Sequence, residues 1–222
     1  MKNWWKILAA VLLLFTVIGG LLMDVPRLPI LHETVRNLYF HVPMWFGMVL
    51  ILGSSVYYSI KYLRNPLPKY DAYAAECANT GILFGCLGMA SGMIWAQFAW
   101  GTFWSGDPKQ NASAVALMIY FGYLVLRDSL QDEMQRSRIG AIYNIFAYAT
   151  FIPLLFILPR LTDSLHPGNG GNPGFNAYDM DSTLRMVFYP SVIAWTLLGA
   201  WITQVRARLR IVKQKQLEKF AN

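Results

Sequence analysis

The sequence predicts an all-α, polytopic integral membrane bundle of about six transmembrane helices. Three observations carry this expectation. Of 222 residues, 55% are hydrophobic and only 14% are charged. The charged residues are missing from long stretches instead of alternating through the chain, and Lys and Arg gather in alternate connecting segments. A soluble domain of this size needs far more polar surface.

The apolar segments fall at roughly 4–23, 39–60, 77–100, 112–126, 139–158 and 186–205. Each is near the length that crosses roughly 30 Å of hydrocarbon at 1.5 Å per residue. The first follows Lys2 and Lys6 in the manner of a signal peptide. Its length, and the absence of a small-x-small cleavage pattern before Asp24-Val-Pro-Arg, point instead to an uncleaved anchor helix. The fourth is short and is expected to use Asn111 and Ser113 near one interface.

Orientation follows from the basic residues. With the N-terminus in the cytoplasm, the inner segments hold 14 Lys and Arg residues and the outer ones hold five: Arg27, Arg36, Lys109, Arg160 and Arg185. This is the positive-inside bias, with both termini cytoplasmic, and it accounts for the net charge of +7 without nucleic acid as a partner. The chain thus divides into a six-helix transmembrane domain, 1–205, and a basic cytoplasmic tail, 206–222, which serves as a topology signal and can also touch anionic lipid or an acidic partner.

The inner loops carry no Gly-rich phosphate loop and no catalytic triad, so function is expected on the outer side. All three histidines lie in that layer: His32 and His41 before and at the outer end of helix two, and His166 after helix five. Imidazole can ligate haem iron or another metal, or form hydrogen bonds near the headgroups. Shared topology permits one site for His41 and His166, whereas His32 lies in a connecting segment. Two Cys and three His form no zinc motif, and no Cys-x-x-Cys-His is present for covalent haem attachment. Cys77 and Cys86, nine residues apart on one helix, lie on opposite faces and are not expected to pair.

Helix three also carries Gly81, Gly85, Gly88 and Gly92 on one face, which suits close helix packing. After it, Trp95, Trp100 and Trp104 gather with Phe98 and Phe103. Such rings can bracket a flat apolar ligand or form an interfacial belt. Asp107-Pro-Lys-Gln reads as a helix start, with Asp107 as cap, Pro108 in the first helical position and Gln110 completing a reciprocal box. A cap of this kind should tolerate Asn. The segment 161–181 is too long for a minimal hairpin and too rich in Gly and Pro to continue a helix, so it is either disordered or a structured lid.

The run Trp100-Gly-Thr-Phe-Trp-Ser-Gly-Asp-Pro-Lys-Gln, with Tyr39-Phe-His-Val-Pro before it and Leu165-His after it, resembles the haem-handling family of cytochrome c maturation, in particular haem exporter protein C. The resemblance covers essentially the whole chain. It implies that His41 and His166 are axial ligands to a transient, non-covalent haem b. It also implies that Trp100, Trp104 and Asp107 belong to the haem-binding platform. Gly106 stands where the family usually has another Trp. By this likeness the protein receives haem at the outer face of a bacterial inner membrane and presents it to a membrane-anchored haem chaperone. An ATP-binding cassette complex and small membrane subunits are the further partners, and the chain need not be an enzyme.

Two other classes compete. A membrane b-haem electron-transfer subunit usually stacks histidine pairs within its spans, and a small-solute transporter needs polar groups near the midplane on broken helices, for which Pro153 offers one kink.

Overall fold

The computed structural model describes residues 3–28, 31–166 and 180–221. Six helices in it are long and apolar enough to cross a membrane. They are α1 (Trp4–Leu22), α2 (His41–Arg64), α3 (Pro68–Trp100), α4 (Pro108–Ser129), α5 (Glu133–Ile152) and α6 (Ser182–Ala221). The protein is an all-α polytopic bundle, as the hydropathy pattern predicts.

Local chemistry explains the helix ends. Pro68 opens α3 at a position where the missing amide costs nothing, and Gly101, at φ +79°, closes it in the left-handed region. Asp132 caps α5 by accepting from the Gln135 amide at 2.6 Å. At Pro153 the helix widens into a π-helical turn, Pro153–Ile157, and ends in a 3₁₀ turn, Leu158–Arg160. The proline that sequence marks as a kink therefore re-routes the backbone hydrogen bonds without ending the span.

Several bounds differ from the hydropathy segments. Helix α3 begins nine residues before the expected 77, and α4 begins at Pro108, so both have ample length. The structure also corrects the expected loop between Tyr39 and the first span, which is partly a 3₁₀ segment, His32–Tyr39. The basic stretch from Arg206 continues the helix of α6 to Ala221. At 1.5 Å per residue α6 is about 60 Å long and α3 about 50 Å, both well beyond the hydrocarbon thickness. Their overhangs meet where Glu76 accepts from Arg206 Nε at 2.7 Å and from Arg210 Nη1 at 3.2 Å.

Helix α2 sits centrally, against α3, α5 and α6, while α1 lies on α6 and α4 packs between α3 and α5. The main core joins Met48, Leu52, Phe84, Leu117, Tyr120 and Phe151. A smaller cluster gathers Val35, Tyr39, Leu184, Val187 and Phe188 at the end where α2 and α6 begin. The α3 glycines make the close approach to α2. A Cβ at Gly81 would stand 2.5 Å from Leu52, and one at Gly85 would stand 2.6 Å from Leu117 and 2.9 Å from Met48. Some of the polar groups inside pair with one another: Asn144 donates to Ser55 and Ser59, and Arg127 forms a two-pronged bridge to Asp71 at 2.7 and 2.8 Å. Cys77 and Cys86 are both free thiols.

Because successive helices alternate in direction, the start of α2, the end of α3, the start of α4 and the segment after α5 share one end of the bundle. His41, Trp100, Asp107 and His166 lie there.

Candidate functional site

His41 is the first residue of α2, and its ring lies against the last third of α3. Its Nδ1 is 2.9 Å from the Gly88 carbonyl oxygen and 3.1 Å from Ser91 Oγ. A carbonyl oxygen only accepts, so Nδ1 carries the proton and the lone pair sits on Nε2. The recess exists because Gly92 has no side chain: a Cβ there would stand 2.6 Å from His41 Cε1. Gly88 makes the same allowance for Trp45, whose Nε1 would meet a Cβ at 2.9 Å. Trp45, one turn along α2, sets its ring edge to the imidazole at 6.4 Å between centroids. The upper half of the glycine stripe thus packs helices and seats these two rings, a role beyond the packing that its spacing suggests.

His166 is oriented in the same way by a different acceptor. Its Nδ1–H donates to Asp107 Oδ1 at 2.8 Å, which places the lone pair on Nε2. Trp100 meets the ring edge-on, 4.9 Å between centroids, and Trp95 backs Trp100 at 5.3 Å. Both imidazoles lie at the end of the bundle where α2 and α4 begin.

Asp107 has a larger part than capping. Its carboxylate accepts from the Lys109 amide at 2.8 Å and the Gln110 amide at 3.4 Å, as a cap does. It also accepts from the Leu165 amide at 2.8 Å, from Ser164 Oγ at 3.0 Å and from His166. Burial alone would raise this carboxyl, but the His166 ring and the Leu165 and Lys109 amides outweigh burial and hold it well below the usual carboxylate range. The expected reciprocal box is not formed. Gln110 Oε1 accepts from the Ser105 amide and hydroxyl, each at 3.0 Å, and its Nε2 donates to the Phe103 carbonyl at 3.3 Å. Gln110 therefore ties down the tryptophan loop, two residues before the position a box requires.

Trp104 stands apart from the Trp95–Trp100 pair. Its Nε1–H donates to Asn111 Oδ1 at 3.1 Å, and Asn111 donates to the Gly106 carbonyl at 2.9 Å, which fixes the indole on the first turn of α4. The ring is 39% exposed and Phe98 is 70% exposed, so this rim presents aromatic surface outward. Gly106 takes φ +74°, a conformation that a Trp would adopt only with strain. His32 lies elsewhere, exposed and beside Pro26, Arg27 and Glu33. The Gly/Asn-rich run after His166 falls at 167–179, outside the described residues.

Sequence reasoning did not single out Ser91, Ser164 or the Gly88 carbonyl. Ser164 stands two residues before His166, a spacing that allows its hydroxyl to accept from the His166 amide at 3.2 Å. Nothing in sequence flags a backbone carbonyl. Among the described residues no three His, Cys, Asp or Glu side chains group to hold a metal ion. A pair of imidazoles suits iron that brings its other four ligands in a porphyrin.

Fold and site define a polytopic helical membrane protein with two pre-oriented imidazoles and an aromatic rim at one end of its bundle. The family model described as heme exporter protein C matches residues 1–222, and the chain belongs to that family. It is similar to Heme exporter protein C of Haemophilus influenzae, 23% identical over 185 residues, which are 82% of this chain and 73% of that protein. Heme exporter protein C of Rhodobacter capsulatus is 28% identical over 138 residues, 58% of this chain and 53% of that one. Cytochrome c biogenesis protein CcsA of Pelargonium hortorum is 36% identical over 93 residues, 41% of this chain but only 29% of that longer protein.

Proposed function

We propose that the protein carries haem b as a transient, non-covalent cargo, with His41 Nε2 and His166 Nε2 as axial ligands. Haem handling during cytochrome c maturation follows from membership of the family. The observation that carries the site assignment is the matched tautomer: each imidazole donates its Nδ1–H to a fixed acceptor, the Gly88 carbonyl for one and Asp107 for the other. Haem iron would accept the two imidazole lone pairs; the chain orients the two rings and shields one side of the porphyrin. Trp100, backed by Trp95, and Trp104 are the apolar surface for that side. Asp107 is a positioning residue that acts through His166.

The chain works without catalysing a reaction. It presents haem at the outer face of a bacterial inner membrane to a membrane-anchored haem chaperone, with an ATP-binding cassette complex and small membrane subunits as further partners. Both termini are cytoplasmic, and residues 1–205 form the haem-handling domain with 206–222 as its basic cytoplasmic extension. The charge bias and the position of the imidazoles at the opposite end from that extension support this orientation. His41 sits on an anchored helix, whereas His166 lies on a short non-helical segment docked on Asp107 and Trp100. That asymmetry suits cargo release, with His166 the ligand that detaches.

The test is transfer. Haem-loaded, detergent-purified protein mixed with the haem chaperone should lose its haem absorption as the chaperone gains it. A chaperone that remains haem-free would sink the delivery role. Impermeant labelling of Trp104→Cys, in a background without Cys77 and Cys86, should succeed from the periplasm. Protection there, together with labelling of the C-terminal tail in intact cells, would invert the orientation.

A further inference from the structure

At the end of the bundle remote from the two imidazoles, a partly open cleft of about 170 Å³ lies between α3, α4, α5 and α6. Arg127, Arg136 and Arg210 line it together with Asn79, Leu124 and Asp128. Three helices, α4, α5 and α6, thus each bring a guanidinium to one recess, and Arg127 reaches it across Gly140, where a Cβ would stand 2.6 Å from its Nη1.

The hydrogen-bonding needs of these groups are unevenly met. Arg127 is matched to Asp71 by two bonds, and Arg210 shares Glu76 with Arg206. Arg136 has no ion-pair partner among the described residues, and its Nε is buried without an acceptor. A buried guanidinium N–H lacking an acceptor costs free energy, and an oxyanion in the cleft would relieve that cost. Counting the lining residues and their ion-pair partners, four guanidiniums (Arg127, Arg136, Arg206, Arg210) face three carboxylates (Asp71, Glu76, Asp128). One positive charge is left over. That balance favours a singly charged phosphodiester, and the exposed Asp128 on the wall disfavours a doubly charged monoester. The recess has room for a phosphate group but not for a porphyrin. It lies where the spans leave the hydrocarbon, so its natural occupant comes from the bilayer surface.

We propose that this cleft binds the phosphodiester of an anionic lipid headgroup, with Arg136 as the principal donor and Arg210 and Asn79 beside it. The lipid ties the start of α5 to the overhangs of α3 and α6. The site is independent of the haem reading and would stand if that reading failed.

Native mass spectrometry of the full chain in detergent, titrated with phosphatidylglycerol, phosphatidylcholine or inorganic phosphate, tests it. One phosphatidylglycerol should bind about tenfold more tightly than phosphatidylcholine, and Arg136→Gln should remove about that factor, the loss of one charge-assisted hydrogen bond. Arg64→Gln, on the exposed end of α2 and away from the cleft, should leave binding unchanged. Lipid-free Arg136→Gln protein should melt no lower than wild type, since the change removes an unmatched buried donor. Arg136→Lys, which keeps the charge, should retain part of the preference. Equal binding of the two lipids overturns the proposal, as does phosphatidylglycerol binding that ignores Arg136. Inorganic phosphate displacing the lipid would assign the cleft to a free anion, and displacement by an acidic peptide would assign it to a protein partner; either result overturns the lipid assignment.

Discussion

Replacing Asp107 by Asn separates a helix cap from a carboxylate that organises the haem site. For a cap alone the change is mild, because an Asn oxygen accepts from the Lys109 and Gln110 amides as well as Oδ1 does. Five donors converge on this carboxylate, however. Oδ2 takes the Leu165 amide at 2.8 Å and Ser164 Oγ at 3.0 Å, while Oδ1 takes His166 Nδ1–H. An Asn that keeps its oxygen at the cap turns its NH₂ toward the Leu165 N–H, donor against donor. A buried amide left unsatisfied costs about 1–3 kcal/mol, and exchanging an ionised for a neutral acceptor takes about 1 kcal/mol from the His166 bond. The docked arrangement of 164–166 then weakens by roughly 2–4 kcal/mol, about 30-fold at the low end. Haem loss to apomyoglobin in detergent measures the consequence. Asp107→Asn should release haem at least about tenfold faster than wild type and approach Asp107→Ala, with α4 intact by circular dichroism. Wild-type retention in Asp107→Asn beside rapid loss in Asp107→Ala would refute the reasoning and return Asp107 to a capping role.

Other outcomes follow from the same geometry. Gly92→Ala puts a methyl group 2.6 Å from His41 Cε1, so haem retention should fall sharply, whereas Gly53→Ala, which meets only Tyr148 Oη at 3.1 Å, should leave it unchanged in the same release assay. Trp100→Ala should accelerate haem loss more than Trp4→Ala, since Trp4 is 60% exposed at the other end of the bundle. Arg127→Leu leaves Asp71 buried and unpaired and should destabilise the fold by about 3–5 kcal/mol, read as a lower melting temperature, while the double Asp71→Leu, Arg127→Leu variant should recover most of that loss. Because the Asp107 pKa is lowered in the folded protein, its stabilising effect is complete above the ordinary carboxylate pKa and is lost only as pH falls toward the depressed value. In haem-free protein the Leu165 amide should therefore stay protected from hydrogen exchange as pH is lowered through about 4, the unperturbed Asp range.

Much of this architecture is legible in the sequence because a bilayer enforces it. Backbone groups in hydrocarbon must bond within the helix, so apolar length alone marks the spans, and Pro108 and Asp107 mark the start of α4. The overhangs of α3 and α6 are less visible. Lys69, Asp71 and Glu76 make the start of α3 read as a loop, yet Asp71 and Glu76 find arginines on α4 and α6, contacts that hydropathy cannot anticipate. At the site, sequence points to His41, His166 and the tryptophan loop, and the structure gathers His41, His166 and Trp100 at one end. What it could not supply is direction. The Gly88 carbonyl is a backbone atom with no residue-type signature, and Asp107 satisfies its local capping pattern so well that its bonds to Ser164, Leu165 and His166, some 57 to 59 residues away, leave no trace in the spacing.

The central claim is that one haem iron is held between His41 and His166. Low-temperature electron paramagnetic resonance of the ferric, haem-loaded protein, recorded beside its absorption spectrum, addresses it most directly. The account expects a low-spin, bis-imidazole signal in wild type and in His32→Ala. His41→Ala and His166→Ala should each convert to high spin and regain the low-spin signal with added imidazole, and the double variant should hold little haem. An unchanged low-spin signal in folded His41→Ala and His166→Ala proteins would contradict the account, and loss confined to His32→Ala would move the ligand to that histidine.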